Sequence, residues 1–215
     1  MTNTLISEAL SGDYHSGYEQ IIEDLIHQHY AVVDGFFEAS LIGQLHAELH
    51  FLHDHDKLKK AAIGKHFDEQ IVKDIRGDYI QWIDEKMANS TEKTFFDAVN
   101  DFVSYLNRTC FMGILHKEFH YAVYPEGRFY KRHLDTFEND QRRKLSMVLY
   151  LNKAWTVDNG GELVIYKNEG PEEKSIPILP KFGRLVIFES SVLEHEVKPV
   201  LKGERQSITG WLKVR

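Results

Sequence analysis

Cysteine is almost absent from this chain of 215 residues, since Cys110 is its single example. One cysteine excludes an intrachain disulfide framework and a cysteine-based zinc site, and it suits a reducing compartment. The sequence also lacks an uncharged apolar run of the roughly 18 residues needed to cross a bilayer. We therefore expect a soluble protein with no membrane partner, in which any metal ion is held by histidine and carboxylate ligands.

The chain has fewer positive than negative side chains, with 26 Lys and Arg residues against 33 Asp and Glu residues. Its net charge is −7. This balance opposes attraction to phosphate backbones, so we do not expect nucleic acid as a partner. Residues 1–30 lack the basic-then-apolar pattern of a signal peptide, which predicts a cytoplasmic location. A protein or a small molecule is the expected substrate, and a monomer is the favoured state.

The hydrophobic spacing changes along the chain. Helical spacing predicts helices at about 39–53 and 91–108, the second capped by Ser90 or Thr91, with a polar loop at about 55–74 between them. A short strand precedes Gly35, and an alternating strand ends near Ile83. Beyond about residue 118, short β-branched and aromatic runs predict strands at 118–124, 145–151, 162–166, 174–178, 184–188, 192–197 and 206–214.

This order of elements predicts an α+β fold that is mainly β. We expect one domain over residues 1–215, with a jelly-roll core at about 118–215, of the double-stranded β-helix or cupin-like kind. Helices and strands at about 1–117 would support that core.

A candidate metal site begins with His133 and Asp135, which stand two residues apart. On an extended strand this spacing places both side chains on one face. His195, in a later strand, is the candidate third ligand. Two imidazoles and one carboxylate leave coordination positions open, as in non-haem iron(II) oxygenases. His-x-Asp alone is weak evidence among 12 histidines, and we interpret the crowded group of His50, His53 and His55 as a solvated helix end.

The residues that follow His195 strengthen the hypothesis. Arg205 comes ten residues later, and Ser207, Thr209 and Trp211 share its face of the last predicted strand. A guanidinium group matches a carboxylate through two hydrogen bonds, so a buried Arg205 would suit a dicarboxylic co-substrate. Taken alone, Arg205 is better interpreted as a surface residue beside Lys202 and Glu204.

Several segments, taken together and in order, resemble one family. They are Ala31–Phe36, Asp74–Asp78 with Trp82, Tyr124–Asp135, Leu149–Trp155, Gly160–Leu163, Gly183–Leu185, His195–Val197 and Arg205–Trp211. This series is similar to the 2-oxoglutarate oxygenases of the prolyl 4-hydroxylase type, particularly the hypoxia-inducible-factor prolyl hydroxylases and their bacterial relatives. The resemblance covers nearly all of the chain from about residue 28.

The resemblance implies an enzyme that uses Fe(II), 2-oxoglutarate and O2, with ascorbate as a candidate reductant, to hydroxylate C4 of a prolyl residue in a protein substrate. By residue matching, it implies the following roles: iron ligands His133, Asp135 and His195; 2-oxoglutarate contacts Arg205, Tyr150, Tyr124, Thr209 and Trp211; and substrate-entrance residues Arg76, Asp78 and Trp82. The tract between Tyr124 and His133 has fewer glycines than in the animal enzymes.

Three alternatives remain open at this point. The same metal chemistry would serve a hydroxylase of a free amino acid or small molecule, although the long polar loop favours a peptide. A nucleic-acid demethylase would use the same triad, and the net charge of −7 opposes it. A non-catalytic cupin-like binding or sensing module would have no need of the triad together with Arg205.

Overall fold

The computed structural model describes residues 17–61, 76–136, 141–170 and 172–215. Three α-helices lie in these ranges: α1 (17–28), α2 (Ala39–Asp54) and α3 (Ser90–Cys110). A short 3-10 helix follows at Val157–Asn159. No helix in the described ranges is both long and apolar enough to span a membrane. The predicted loop at 55–74 lies mostly outside the described residues, and its described part contains a two-residue strand at Lys59–Lys60.

The start of α3 differs from the predicted one. The cap is Asn89 instead of Ser90 or Thr91: its side chain accepts a 3.0 Å hydrogen bond from the Glu92 backbone N–H. The Glu92 carboxylate in turn accepts a 3.0 Å bond from the Asn89 backbone N–H. This reciprocal arrangement satisfies two amide groups that a helix start otherwise leaves unpaired.

Eleven strands are defined in the described ranges. They are β1 (Tyr30–Asp34), β2 (Lys59–Lys60), β3 (Tyr79–Ile83), β4 (His116–Tyr124), β5 (Tyr130–His133), β6 (Arg143–Tyr150), β7 (Leu163–Glu169), β8 (Glu172–Ile178), β9 (Arg184–Glu189), β10 (Glu194–Val197) and β11 (Arg205–Lys213). The major sheet has the order β1-β9-β6-β11-β4-β3-β2, and the minor sheet has the order β5-β10-β7-β8. All of their pairings are antiparallel.

The two faces of the major sheet pack against different parts of the protein. Because side chains alternate along a strand, one face of β11 places Ile208 and Leu212 in the large apolar core shared with the helices. Phe95, Val99 and Phe102 of α3 lie in that same core. The opposite face, with Arg205, Ser207, Thr209 and Trp211, is turned toward the minor sheet. A second core, containing Val148, Ile165 and Phe188, joins the two sheets.

This architecture confirms the predicted jelly roll with helical support. Each of the seven strands predicted beyond residue 118 is present, with ends that shift by two residues or fewer in most cases. Strand β5 was not predicted, and Asp135 lies two residues beyond its end, so the assumption that one strand holds both His133 and Asp135 was wrong. The N-terminal region that was predicted to support the core also contributes strands to it, because β1 and β3 belong to the major sheet.

Candidate metal centre and adjoining pocket

The three predicted ligands meet at one point between the sheets. His133 ends β5 and pairs directly with His195 of β10, so that both imidazoles leave the minor sheet side by side. Asp135 follows β5, and its Oδ1 lies 3.5 Å from Nε2 of His133 while its Oδ2 lies 3.6 Å from Nε2 of His195. One ligand atom from each residue lies within 4.8 Å of the other two.

Each ligand is oriented by a second contact. Nδ1 of His133 donates to the Lys131 carbonyl at 2.7 Å, and Nδ1 of His195 faces the Leu193 carbonyl at 3.3 Å. Because a carbonyl only accepts, these contacts fix the tautomer that leaves Nε2 as the metal-binding atom. Asp135 accepts a 2.6 Å hydrogen bond from Oγ of Ser146 on its Oδ2 atom.

The donor set fits iron(II). Nε2 of His133 is buried and has no hydrogen-bond partner among the described residues, as expected of an atom that awaits a ligand. Burial opposes the charge of Asp135, yet His195 and His133 hold the pKa of that carboxyl well below its usual range. Burial lowers the pKa of His195 to about 4. At neutral pH the group therefore offers an anionic carboxylate and a neutral His195 imidazole, the forms that bind metal ions.

A pocket of about 450 Å³, including its open mouth, adjoins the triad. Besides the three ligands, side chains from both sheets line it: Arg76, His120, Tyr124, Tyr130, Val148, Leu163, Phe188, Val197, Arg205, Thr209 and Trp211. The cavity therefore combines apolar walls with polar and charged groups that converge on one place, as in small-molecule sites.

Arg205 marks the end of the pocket that suits an anion. Its side chain is 2% exposed and lies 3.3 Å from the Tyr150 hydroxyl and 3.4 Å from Oγ of Ser207. Within the described ranges no carboxylate lies within 4.0 Å of the guanidinium, and its Nε has no hydrogen-bond partner. A buried, uncompensated cation is costly unless a ligand supplies the anion. Gly161 permits the close packing here, because a Cβ at that position would lie 3.3 Å from Cδ of Arg205.

The three residues assigned to the substrate entrance occupy different places. Arg76 lines the pocket, and it donates two hydrogen bonds, of 2.8 and 2.6 Å, to the carboxylate of Asp78. Asp78 is buried beneath Arg76 and does not line the pocket. Trp82 is 49% exposed, and its ring lies 6.3 Å from that of Trp211, centroid to centroid. Of the remaining predicted residues, Tyr124, Thr209 and Trp211 line the pocket, whereas Tyr150 reaches it through Arg205.

Sequence reasoning missed four residues of this site: His120, Tyr130, Arg143 and Ser146. Tyr130 stacks on His133 with ring centroids 3.7 Å apart, and Arg143 lies 3.6 Å above the Trp211 ring while donating to the Asp135 carbonyl at 3.0 Å. For His120 a signal was available. It shares a strand face with Tyr124 four residues on, so strand alternation places it on the same face as a predicted pocket residue.

Comparisons with known proteins agree with this geometry. Residues 119–213 match the family model of the 2OG-Fe(II) oxygenase superfamily. A crystal structure of a Pseudomonas putida prolyl-4-hydroxylase superposes with a TM-score of 0.81 at 34% identity, covering 92% of this chain and 99% of that one. A Trichoplax adhaerens prolyl hydroxylase, in complex with a peptide fragment of the hypoxia inducible factor oxygen degradation domain, gives a TM-score of 0.85 at 26% identity over 95% of this chain and 92% of that one.

Human Egl nine homolog 1 is 34% identical over an alignment of 203 positions, gaps included, that covers 84% of this chain and 42% of that protein. The chain spans about half or less of the length of the curated relatives that it matches. The chain belongs to the prolyl-4-hydroxylase family of iron(II)- and 2-oxoglutarate-dependent oxygenases.

Proposed function

We propose that this protein hydroxylates a prolyl residue, at C4, in a protein substrate and converts 2-oxoglutarate and O2 to succinate and carbon dioxide. The observation that carries this proposal is the meeting of a His-Asp-His triad and an uncompensated, buried Arg205 in one pocket. The triad accounts for a metal with open coordination positions, and Arg205 accounts for a dicarboxylate beside it.

In this proposal His133, Asp135 and His195 hold iron(II), which when bound with 2-oxoglutarate activates O2 for insertion of one oxygen atom into a C–H bond. Arg205 binds the far carboxylate of 2-oxoglutarate, assisted by the hydroxyl of Tyr150 at 3.3 Å. The co-substrate then lies between the two sheets with its keto acid end toward the triad.

The pocket walls orient the reactants and keep water out. Val148, Phe188 and Val197 give the walls apolar surfaces from both sheets. Thr209 and Trp211 complete the co-substrate wall on β11, and Tyr124 lies beside Arg205, whose guanidinium carbon is 5.1 Å from the Tyr124 ring centre. A dry pocket strengthens the charge-assisted hydrogen bonds on which co-substrate binding depends.

A peptide substrate is supported by two kinds of observation. The Pseudomonas and Trichoplax relatives are named prolyl hydroxylases, and the second is in complex with a peptide. In this chain, the half-exposed Trp82 and the Arg76–Asp78 pair stand beside the pocket, where they would contact residues flanking the target.

We further propose that the enzyme works in the cytoplasm with ascorbate as reductant, since a single cysteine suits a reducing compartment.

The decisive test uses two peptide libraries. The first contains nine-residue peptides with a fixed central proline and random flanks, and the second has alanine in place of that proline. We expect iron-dependent succinate release that the proline library stimulates, with a gain of one oxygen atom per proline in mass spectra. Stimulation by free amino acids but not by peptides would favour the small-molecule alternative. No turnover and no iron binding would refute the enzyme itself.

A further inference from the structure

His120 is a buried histidine in the middle of β4 for which the proposed chemistry has no role. It is 2% exposed, and its imidazole lines the pocket beside the metal triad. Its position on the sheet is fixed by two pairings: it lies opposite Trp82 of β3 and opposite Thr209 of β11. His120 therefore stands between the exposed Trp82 and the co-substrate wall.

Two indole rings hold the imidazole. The Trp82 ring centre lies 4.8 Å and the Trp211 ring centre 5.5 Å from that of His120. These contacts restrict the ring to one orientation without using its nitrogens. Nδ1 is buried and has no hydrogen-bond partner among the described residues. A buried polar atom left in this way destabilises the protein, so the arrangement suggests that a ligand completes it.

The charged side chains around His120 are already paired, in contrast to its imidazole. Arg76 binds Asp78 through two hydrogen bonds, and Arg143 binds Glu118 at 3.0 Å and the Asp135 carbonyl at 3.0 Å. Burial lowers the pKa of His120 to about 3, so the ring is neutral at physiological pH. A neutral imidazole has one donor and one acceptor nitrogen, which suits an uncharged amide better than an anion or a cation.

We propose that His120 is a specificity-determining residue, whose imidazole hydrogen-bonds to a backbone amide group of the peptide next to the target prolyl residue. The flanking indoles of Trp82 and Trp211 offer apolar surface on which a prolyl ring can pack. This inference rests on the proposed function, and it assigns to β4 of the major sheet a contact with the substrate rather than with 2-oxoglutarate.

The test compares two variants with a matched control. His120→Leu removes both nitrogens, and His120→Gln restores a donor and an acceptor on a side chain of similar length. His116→Gln is the control, because His116 lies on the same strand and the same face but is exposed at the strand start. Metal content, melting temperature and the 2-oxoglutarate requirement are measured for all four proteins, together with the concentration of proline library that gives half-maximal hydroxylation.

We expect H120L to raise the half-maximal library concentration about tenfold, the value for one lost hydrogen bond. We expect H120Q to remain within about threefold of wild type and H116Q to be unchanged. Metal content and 2-oxoglutarate requirement should not move in any variant. Peptide binding without turnover is read from tryptophan fluorescence under anaerobic conditions, since Trp82 and Trp211 are two of the three tryptophans.

The outcomes separate the inference from the function on which it rests. If wild type hydroxylates the proline library and H120L needs no more of it, the inference is overturned and the proposed function stands. If H120L instead shifts the 2-oxoglutarate requirement, His120 serves the co-substrate and the inference is also overturned. If wild type neither binds nor hydroxylates the proline library in preference to the alanine library, both are refuted.

Discussion

Replacing Arg205 by methionine should separate folding from co-substrate binding. The guanidinium is buried, its two closest contacts are long bonds of 3.3 and 3.4 Å to neutral hydroxyls, and no described carboxylate compensates its charge. Exchange of such a group for an apolar one of similar volume is commonly neutral or stabilising by about 1–4 kcal/mol. We therefore expect Arg205→Met to unfold at the same denaturant concentration as wild type, or a higher one, without 2-oxoglutarate.

Binding of 2-oxoglutarate should suffer strongly in the same variant. Loss of a charge-assisted pair of hydrogen bonds costs about 3 kcal/mol, which weakens binding roughly 150-fold. At a concentration 100 times the wild-type dissociation constant, 2-oxoglutarate stabilises wild type by about 2.7 kcal/mol, and this gain should fall to about 0.3 kcal/mol.

Urea unfolding of the manganese-loaded protein, with and without 2-oxoglutarate, measures both quantities. Arg184→Met is the matched control, because Arg184, on β9 of the same sheet, makes a bidentate pair with Asp34 of β1 at 2.8 and 2.7 Å. That variant should keep the full 2-oxoglutarate gain. A loss of more than about 2 kcal/mol in ligand-free Arg205→Met would show that the guanidinium supports the fold, and the reasoning would fail.

Three further changes probe the metal centre and its surroundings. His133→Ala should lose bound iron on dialysis while Arg205→Met keeps it; equal loss would contradict their separate roles. Ser146→Ala should weaken metal binding about tenfold, because Asp135 loses a 2.6 Å hydrogen bond; an unchanged dissociation constant would count against that contact. For metal-free protein we expect the free energy of unfolding to fall by about 3 kcal/mol from pH 6.5 to 5.0, since His120 and His195, with folded pKa values of about 3 and about 4, take up protons in that range after unfolding but not before. His120→Gln should remove about half of this fall, and a profile identical to wild type would exclude His120 as one of its sources.

Most of the sheet was predictable because its strands carry their own signals. Short β-branched runs bounded by turn residues located β4 and β6 through β11 within a few residues. Strand β5 was missed because Tyr130–His133 is short and polar and its sequence carries no strand signal. The strand forms through its pairing with β10. The cap of α3 was misplaced for a related reason. Several capping residues stand in a row there, and the reciprocal bond to Glu92 selects Asn89.

The residues of the candidate site were predictable where a sequence motif and its spacing identify them. They were not predictable where only the pairing register of the strands brings them to the pocket. His133, Asp135, His195 and Arg205 were found from sequence, and the structure brings them to one pocket. His120 was passed over because its one sequence signal, the strand face that it shares with Tyr124, does not by itself separate it from the other histidines. It becomes visible when the pairing of β4 with β3 and β11 sets it between Trp82 and Thr209.

The division of the site between two sheets has a mechanical consequence. The two histidine ligands stand on β5 and β10 of the minor sheet, whereas Arg205 stands on β11 of the major sheet. A molecule that binds the metal at one end and the guanidinium at the other therefore bridges the minor and major sheets. Because the packing of the two sheets sets their spacing, a longer or shorter keto diacid would have to push them apart or leave one anchor unfilled. A rigid scaffold therefore selects its co-substrate by length.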